Sequence, residues 1–222
     1  MKMHSRILCT VVIACCAVMA VVDAVLQPPY FVKSAIKIIL FLLIPILLAK
    51  KLHFSPFACL RSNRSALLWG LGLGIGTLVV ILGGYALLFP FLDLSAIPGA
   101  LEKSVGVTAD NFLYVSVYIA LCNSLLEEFF FRGFAFLTLR QAVTGPFPWI
   151  FSAAAFAIYH AAIMKGWFSP VLMILTLSAL FVCGLFFNWL DSKRERLWVS
   201  WLVHLFANMA INMIGMKLLG MF

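Results

Sequence analysis

A polytopic bundle of transmembrane helices, all-α and with about seven spans, is the fold class this sequence predicts. Three observations predict it. Hydrophobic residues make up 64% of the 222-residue chain and charged residues only 11%, against roughly 45–50% and 25% in an ordinary globular domain. A soluble core of this size cannot hide so much apolar surface, so lipid must be the solvent for most of the chain. The apolar residues also fall into seven runs, each near the roughly 20 residues that cross a hydrocarbon core. Finally, Lys and Arg are distributed unevenly among the breaks between runs. These features exclude a cytosolic enzyme and a disordered tail. The net charge of +8 comes without a basic stripe interleaved with aromatics, so nucleic acid is not an expected partner.

The runs cover residues 7–26, 31–49, 66–91, 112–138, 148–165, 169–190 and 198–219. The chain 1–222 therefore reads as a single transmembrane domain. The first run follows Met1–Arg6 and carries Val18 and Ala20 at small-residue positions, so a cleaved signal peptide, leaving six spans, is the competing reading. A retained first helix, serving as the chain's own insertion signal, is preferred. Gln27-Pro28-Pro29 ends the first run, and the basic stretch Lys50 to Arg64 ends the second. The third run contains Gly70, Gly72, Gly74 and Gly76. With no strand before it and no Lys-Ser/Thr after it, this is no phosphate loop, and Gly72 with Gly76 predicts a small-residue face for close helix packing. Asp93 through Pro98-Gly99, Gly145-Pro146, Lys165-Gly166 and Asp191 to Arg196 mark the remaining breaks. Six cysteines without a CxxC pair, mostly inside apolar runs, are expected to be small buried hydrophobes.

With the N-terminus in the cytoplasm, that side collects Lys2, Arg6, Lys50, Lys51, Arg61, Arg64, Arg140, Lys193, Arg194 and Arg196. The other side keeps Lys103, Lys165 and Lys217. This satisfies the positive-inside rule and predicts a multi-pass membrane protein with a cytoplasmic N-terminus; a bacterial plasma membrane is the expected location. Lys33 and Lys37 fit snorkelling positions or a later start to the second span.

On this reading only Glu127, Glu128 and Arg132 lie deep within a span. One ionised side chain at a helix centre costs about 2.5–3.5 kcal/mol even on the lenient insertion scale. Three must therefore face a protein interior or a wet cavity, which makes them functional-site candidates. Glu128 and Arg132, four apart, form an ion pair on one helix face. Glu127, turned by about 100°, escapes that Arg and is the expected general base.

His160 and His204 also fall inside spans. Counted along helices from the proposed cytoplasmic ends, Glu127, His160 and Asn208 lie about 20, 18 and 15 Å deep, and His204 one turn shallower than Asn208. Residues from three helices thus share one membrane layer. Asn212 extends the His204–Asn208 face as a packing amide.

Two chemistries remain open. Glu127 and His160 activate a water while His204 and Asn208 donate to an oxyanion, or Glu127, His160 and His204 hold a zinc ion. Absence of an HExxH helix favours the first, without a cofactor.

Glu127-Glu128-xxx-Arg132, Phe156-xxx-His160 and His204-xxx-Asn208, in this order on successive apolar runs, resemble the CPBP family. That family comprises the type II CAAX prenyl endopeptidases and the bacterial Abi or bacteriocin-processing membrane proteins. The resemblance spans residues 112–215. It implies a glutamate-dependent intramembrane endopeptidase in which Glu127 and His160 activate water, His204 and Asn208 form the oxyanion site, and Glu128 and Arg132 support them. The implied partner is a peptide or protein substrate, lipidated or carrying a C-terminal sorting helix, within membrane lipids. A non-catalytic immunity or scaffold protein is the alternative. A proton-relay transporter should show internal repeats, and the sequence has none.

Overall fold

The computed structural model describes residues 3–52, 55, 57–61, 64–193 and 196–222. Lys2 and Arg194, counted above among the cytoplasmic charges, lie outside the described residues. Among those residues every regular element is helical. Six helices are long and apolar enough to cross a membrane: α1 (His4–Leu26), α2 (Tyr30–Lys51), α3 (Arg64–Phe91), α5 (Ala109–Ala142), α7 (Pro170–Ser192) and α8 (Trp198–Leu218). A seventh apolar helix, α6 (Phe147–Ile163), is shorter. The protein is thus an integral multi-pass membrane protein whose seven apolar helices follow the seven runs of the sequence. The eighth helix, α4 (Ile97–Val105), was expected as a break. Pro98 pre-sets its first turn, and Gly106, in the left-handed conformation at φ 64°, ends it.

The helix boundaries follow local chemistry. Gln27, at φ 43°, returns its N–H to Val22 O, and Pro29 precedes the first turn of α2. Thr108 and Asn111 form a reciprocal cap at the start of α5. Ser169 caps α7, whose first residue is Pro170. The stretch 57–61 docks on the start of α8, where Cys59 O accepts from Leu197 N at 3.0 Å and Leu60 O from the Trp198 indole at 2.6 Å.

Helix α5 is the axis of the bundle. At about 1.5 Å per residue it outruns a 30 Å hydrocarbon core, and every residue from Leu126 to Leu137 is buried. Val12 and Met19 of α1, Phe41 of α2 and Tyr159 of α6 close around its Phe130 and Phe131. Phe130 stacks on Phe41 with ring centroids 4.0 Å apart. Over Ile119–Asn123 and Glu128–Thr138 the helix widens into π-turns, a geometry that recurs at functional sites. Side chains donate to carbonyls of these turns: Asn208 Nδ2 to Ile119 O at 3.3 Å, Ser152 Oγ to Phe131 O at 2.7 Å and Thr138 Oγ1 to Gly133 O at 3.0 Å. Asn212, as expected of a packing amide, donates to Ser116 O at 3.0 Å.

The glycine face of α3 differs from the expected one. Gly72 and Gly76 look onto open space. A Cβ on Gly70 would stand 2.7 Å from Leu202, and one on Gly74 only 2.4 Å from Phe206. The close approach to α8 therefore runs along Gly70 and Gly74. Both pairs have the same four-residue spacing, and only the rotation of the helix, which spacing does not encode, decides between them.

Candidate active site

Glu127 lies where the widened turns of α5 meet α2, α6 and α8, and it is 2% exposed. Its two oxygens have different partners. Oε1 accepts from Lys37 Nζ at 2.5 Å and from Asn123 Nδ2 at 3.0 Å. Oε2 faces two imidazoles, His160 Nε2 and His204 Nε2, each at 3.7 Å. Both rings are held from behind. His160 Nδ1 meets Phe156 O at 2.7 Å and His204 Nδ1 meets Glu128 Oε1 at 2.8 Å. A carbonyl and a carboxylate can only accept, so each Nδ1 carries a proton and each Nε2 turns toward Glu127.

Phe156 is the hub of the surrounding aromatic shell. Its ring lies edge-on to His160 at 4.5 Å and to His204 at 5.9 Å, and the Arg132 guanidinium sits 4.1 Å from its centroid. Phe187 stacks on His204 and lies 4.8 Å from the same guanidinium. Arg132 Nε is 3.4 Å from Glu128 Oε2, an ion pair with both partners fully buried. Cation–π contacts to Phe156 and Phe187 share the burden of this charge. Asp191 lies within electrostatic reach of both Glu128 and Arg132 and accepts from Ser200 at 2.8 Å.

The structure therefore brings Glu127, His160 and His204 together and sets the Glu128–Arg132 pair behind His204. Asn208 is directed along α5, where its amide nitrogen engages Ile119 O. The expectation of only three deep charges is corrected. Lys37, Lys33, Asp23 and Asp191 are all buried as well, and Lys33 pairs with Asp23 at 3.4 Å. Lys37 is no snorkelling residue, and Asp191 belongs to α7 rather than to a loop. Lys33 and Lys37, four apart at the edge of an otherwise apolar run, were the available signal for the buried cations. Asp191, at a helix end next to basic residues, gave none.

The zinc alternative can be tested on the donor set. Among the described residues no three His, Cys, Asp or Glu side chains are arranged to hold a metal ion. The ammonium on Glu127 Oε1 also opposes a second cation on the same carboxylate. The buried ammonium thus weighs against zinc at Glu127.

An acid flanked by two imidazoles and shielded by a membrane helix bundle can exchange protons with a water or a substrate held between them. Residues 109–210, from the start of α5 into α8, match the family described as Type II CAAX prenyl endopeptidase Rce1-like. That stretch, a little under half of the chain, is thus similar to the CAAX-type intramembrane proteases, in agreement with the resemblance to the CPBP family. No curated protein and no solved structure matches the chain.

Proposed function

We propose that the protein is a glutamate-dependent intramembrane endopeptidase that hydrolyses a peptide bond near the C-terminus, or in the leader, of a membrane-associated substrate. The observation that supports this best is the convergence of two Nε2 atoms on the free oxygen of Glu127. The 3.7 Å spacings are too long for direct hydrogen bonds and leave Oε2 open to a water. Glu127 Oε2 takes one proton from that water while His160 Nε2 accepts the hydrogen bond from its other proton. The water oxygen attacks the scissile carbonyl carbon, and the carbonyl oxygen becomes an oxyanion. His204 in its protonated form, with Glu128 behind Nδ1, supplies a charged Nε2–H donor to that oxyanion, and the second amide hydrogen of Asn208 supports it. The tetrahedral intermediate collapses as the proton held by Glu127 passes to the leaving nitrogen, which departs as an amine. Protein groups that stand ready in a dry site need no reorganisation when charge develops, which is where such electrostatic catalysis gains most.

The active-site layer lies within a membrane whose cytoplasmic face carries Arg6, Lys50, Lys51, Arg61, Arg64, Arg140, Lys193 and Arg196. A peptide precursor, or a protein with a hydrophobic C-terminal sorting helix, suits this small bundle better than a prenylated tail. The test uses purified protein in liposomes with internally quenched membrane peptides, one farnesylated at a CAAX terminus and one unprenylated. Cleavage, read by fluorescence and mass spectrometry, is expected to disappear in Glu127→Gln and in His160→Ala while both variants insert normally. Full cleavage by both variants would overturn the proposal. So would a biological role such as immunity that survives loss of Glu127.

A further inference from the structure

We propose that Lys37 is a positioning residue of the active site, contributed by the N-terminal half that lies outside the family match; this rests on the reading of Glu127 as the base. Helix α2 carries Lys37 to the bundle axis, where 6% of it is exposed. Its ammonium donates to Glu127 Oε1 at 2.5 Å and to Asn123 Oδ1 at 2.6 Å. Asn123 Nδ2 completes the triangle on Oε1 at 3.0 Å. The rings of Tyr159 and Phe41 stand 5.0 and 5.5 Å from the nitrogen, so aromatic faces take up the side of the ammonium that has no carboxylate.

The terminal torsion of a glutamate is broad, and an untethered carboxylate can present either oxygen to the histidines, or neither. Two donors on one oxygen remove that freedom. They fix the carboxylate plane so that Oε2 alone faces His160 and His204. Lys37 also supplies a nearby positive charge to a carboxylate buried among phenylalanines, which would otherwise be strongly disfavoured there. Lys37 thus does two things at once: it makes an ionised base tolerable in the membrane interior, and it selects the oxygen that takes the proton. A second, separate ion pair, Asp23–Lys33, lies one turn nearer the start of α2 and leaves Lys37 to Glu127.

The experiment uses the full-length protein in liposomes with the same quenched peptides, together with Glu127→Gln as a reference. Lys37→Met keeps the length of the side chain and removes its charge. Its kcat should fall about 10- to 100-fold, the scale of a misplaced catalytic group, with KM nearly unchanged because the substrate is not touched. Lys37→Arg should recover most of the lost kcat. Asn123→Ala, which leaves the ion pair in place, should lower kcat in the same direction and covers the case in which Lys37→Met does not fold. Thermal unfolding should place Lys37→Met/Glu127→Gln above Lys37→Met alone, since the double variant buries no unpaired charge. Wild-type kcat in folded Lys37→Met or in Asn123→Ala would overturn the proposal. A change confined to KM would do the same. Loss of Glu127 dependence, by contrast, is read from Glu127→Gln alone and would refute the assignment of the base rather than the role of Lys37.

Discussion

Glu128→Gln separates the two jobs of the buried charge network. In the native protein Glu128 accepts from His204 Nδ1 at 2.8 Å and stands 3.4 Å from Arg132 Nε, and all of this is shielded from solvent. The amide keeps the shape and can still accept from His204, but it no longer supports an imidazolium and no longer balances Arg132. A hydrogen bond to a charged group contributes about 1.5–3 kcal/mol. At 1.36 kcal/mol per decade, loss of that support in the transition state lowers kcat by about 10- to 150-fold. The stability cost is larger, about 3–5 kcal/mol for a buried charge deprived of its partner, partly relieved here by the Phe156 and Phe187 faces. Glu128→Gln/Arg132→Met removes both charges and should recover the stability without the activity. Turnover of quenched peptides in liposomes and thermal unfolding in detergent measure the two quantities on the same preparations. Native turnover in Glu128→Gln, or equal recovery of turnover and stability in the double variant, would refute the view that Glu128 acts on catalysis through His204.

Three further outcomes follow from the geometry. Asn208→Ala should lower kcat by about 100-fold, the loss seen when one oxyanion donor is removed; an effect on unfolding temperature alone would make Asn208 a packing amide. Gly74→Leu should destabilise the protein by 1–3 kcal/mol or more, as overpacking does, because its first side-chain atom already meets Phe206, whereas Gly72→Leu, facing open space, should leave the unfolding temperature nearly unchanged. Treatment with a strong zinc chelator followed by gel filtration should leave peptide cleavage at its starting rate, because the Lys37 ammonium on Oε1 opposes a second cation on the same carboxylate; loss of cleavage with recovery on added zinc would contradict this.

Much of the architecture could be read from the chain because the bilayer imposes a simple rule: about 20 apolar residues per span, with turn chemistry between. Glu127, His160 and His204 were legible for a related reason. A polar side chain deep in a span is costly enough to stand out, and counting along helices places three of them in one layer. Lys37 was hidden because it sits seven residues from the start of α2, where a long basic side chain ordinarily reaches back to the interface. Only the packing of α2 against α5 turns it inward. Asp191 was hidden by the opposite ambiguity, since an acid at a helix end next to Lys193 looks like the start of a loop. The direction of Asn208 escaped as well. Four-residue spacing puts it on the face of His204, but the widened turns of α5 expose Ile119 O and draw the amide there. Helix rotation and π-turns are tertiary outcomes, and they decide the glycine face of α3 for the same reason.

The proposed chemistry requires one carboxylate to approach two imidazoles inside the membrane. Magic-angle-spinning NMR on protein reconstituted in lipid, with 13C-labelled glutamate and 15N-labelled histidine, measures that approach directly. Both imidazoles should dephase the Glu127 side-chain carboxyl, as expected for Oε2···Nε2 separations of 3.7 Å, and the dephasing should be reduced in part by His160→Gln and in part by His204→Gln. A Glu127 carboxyl signal that shows no dephasing from either ring, or that is unmoved by both substitutions, would contradict that chemistry.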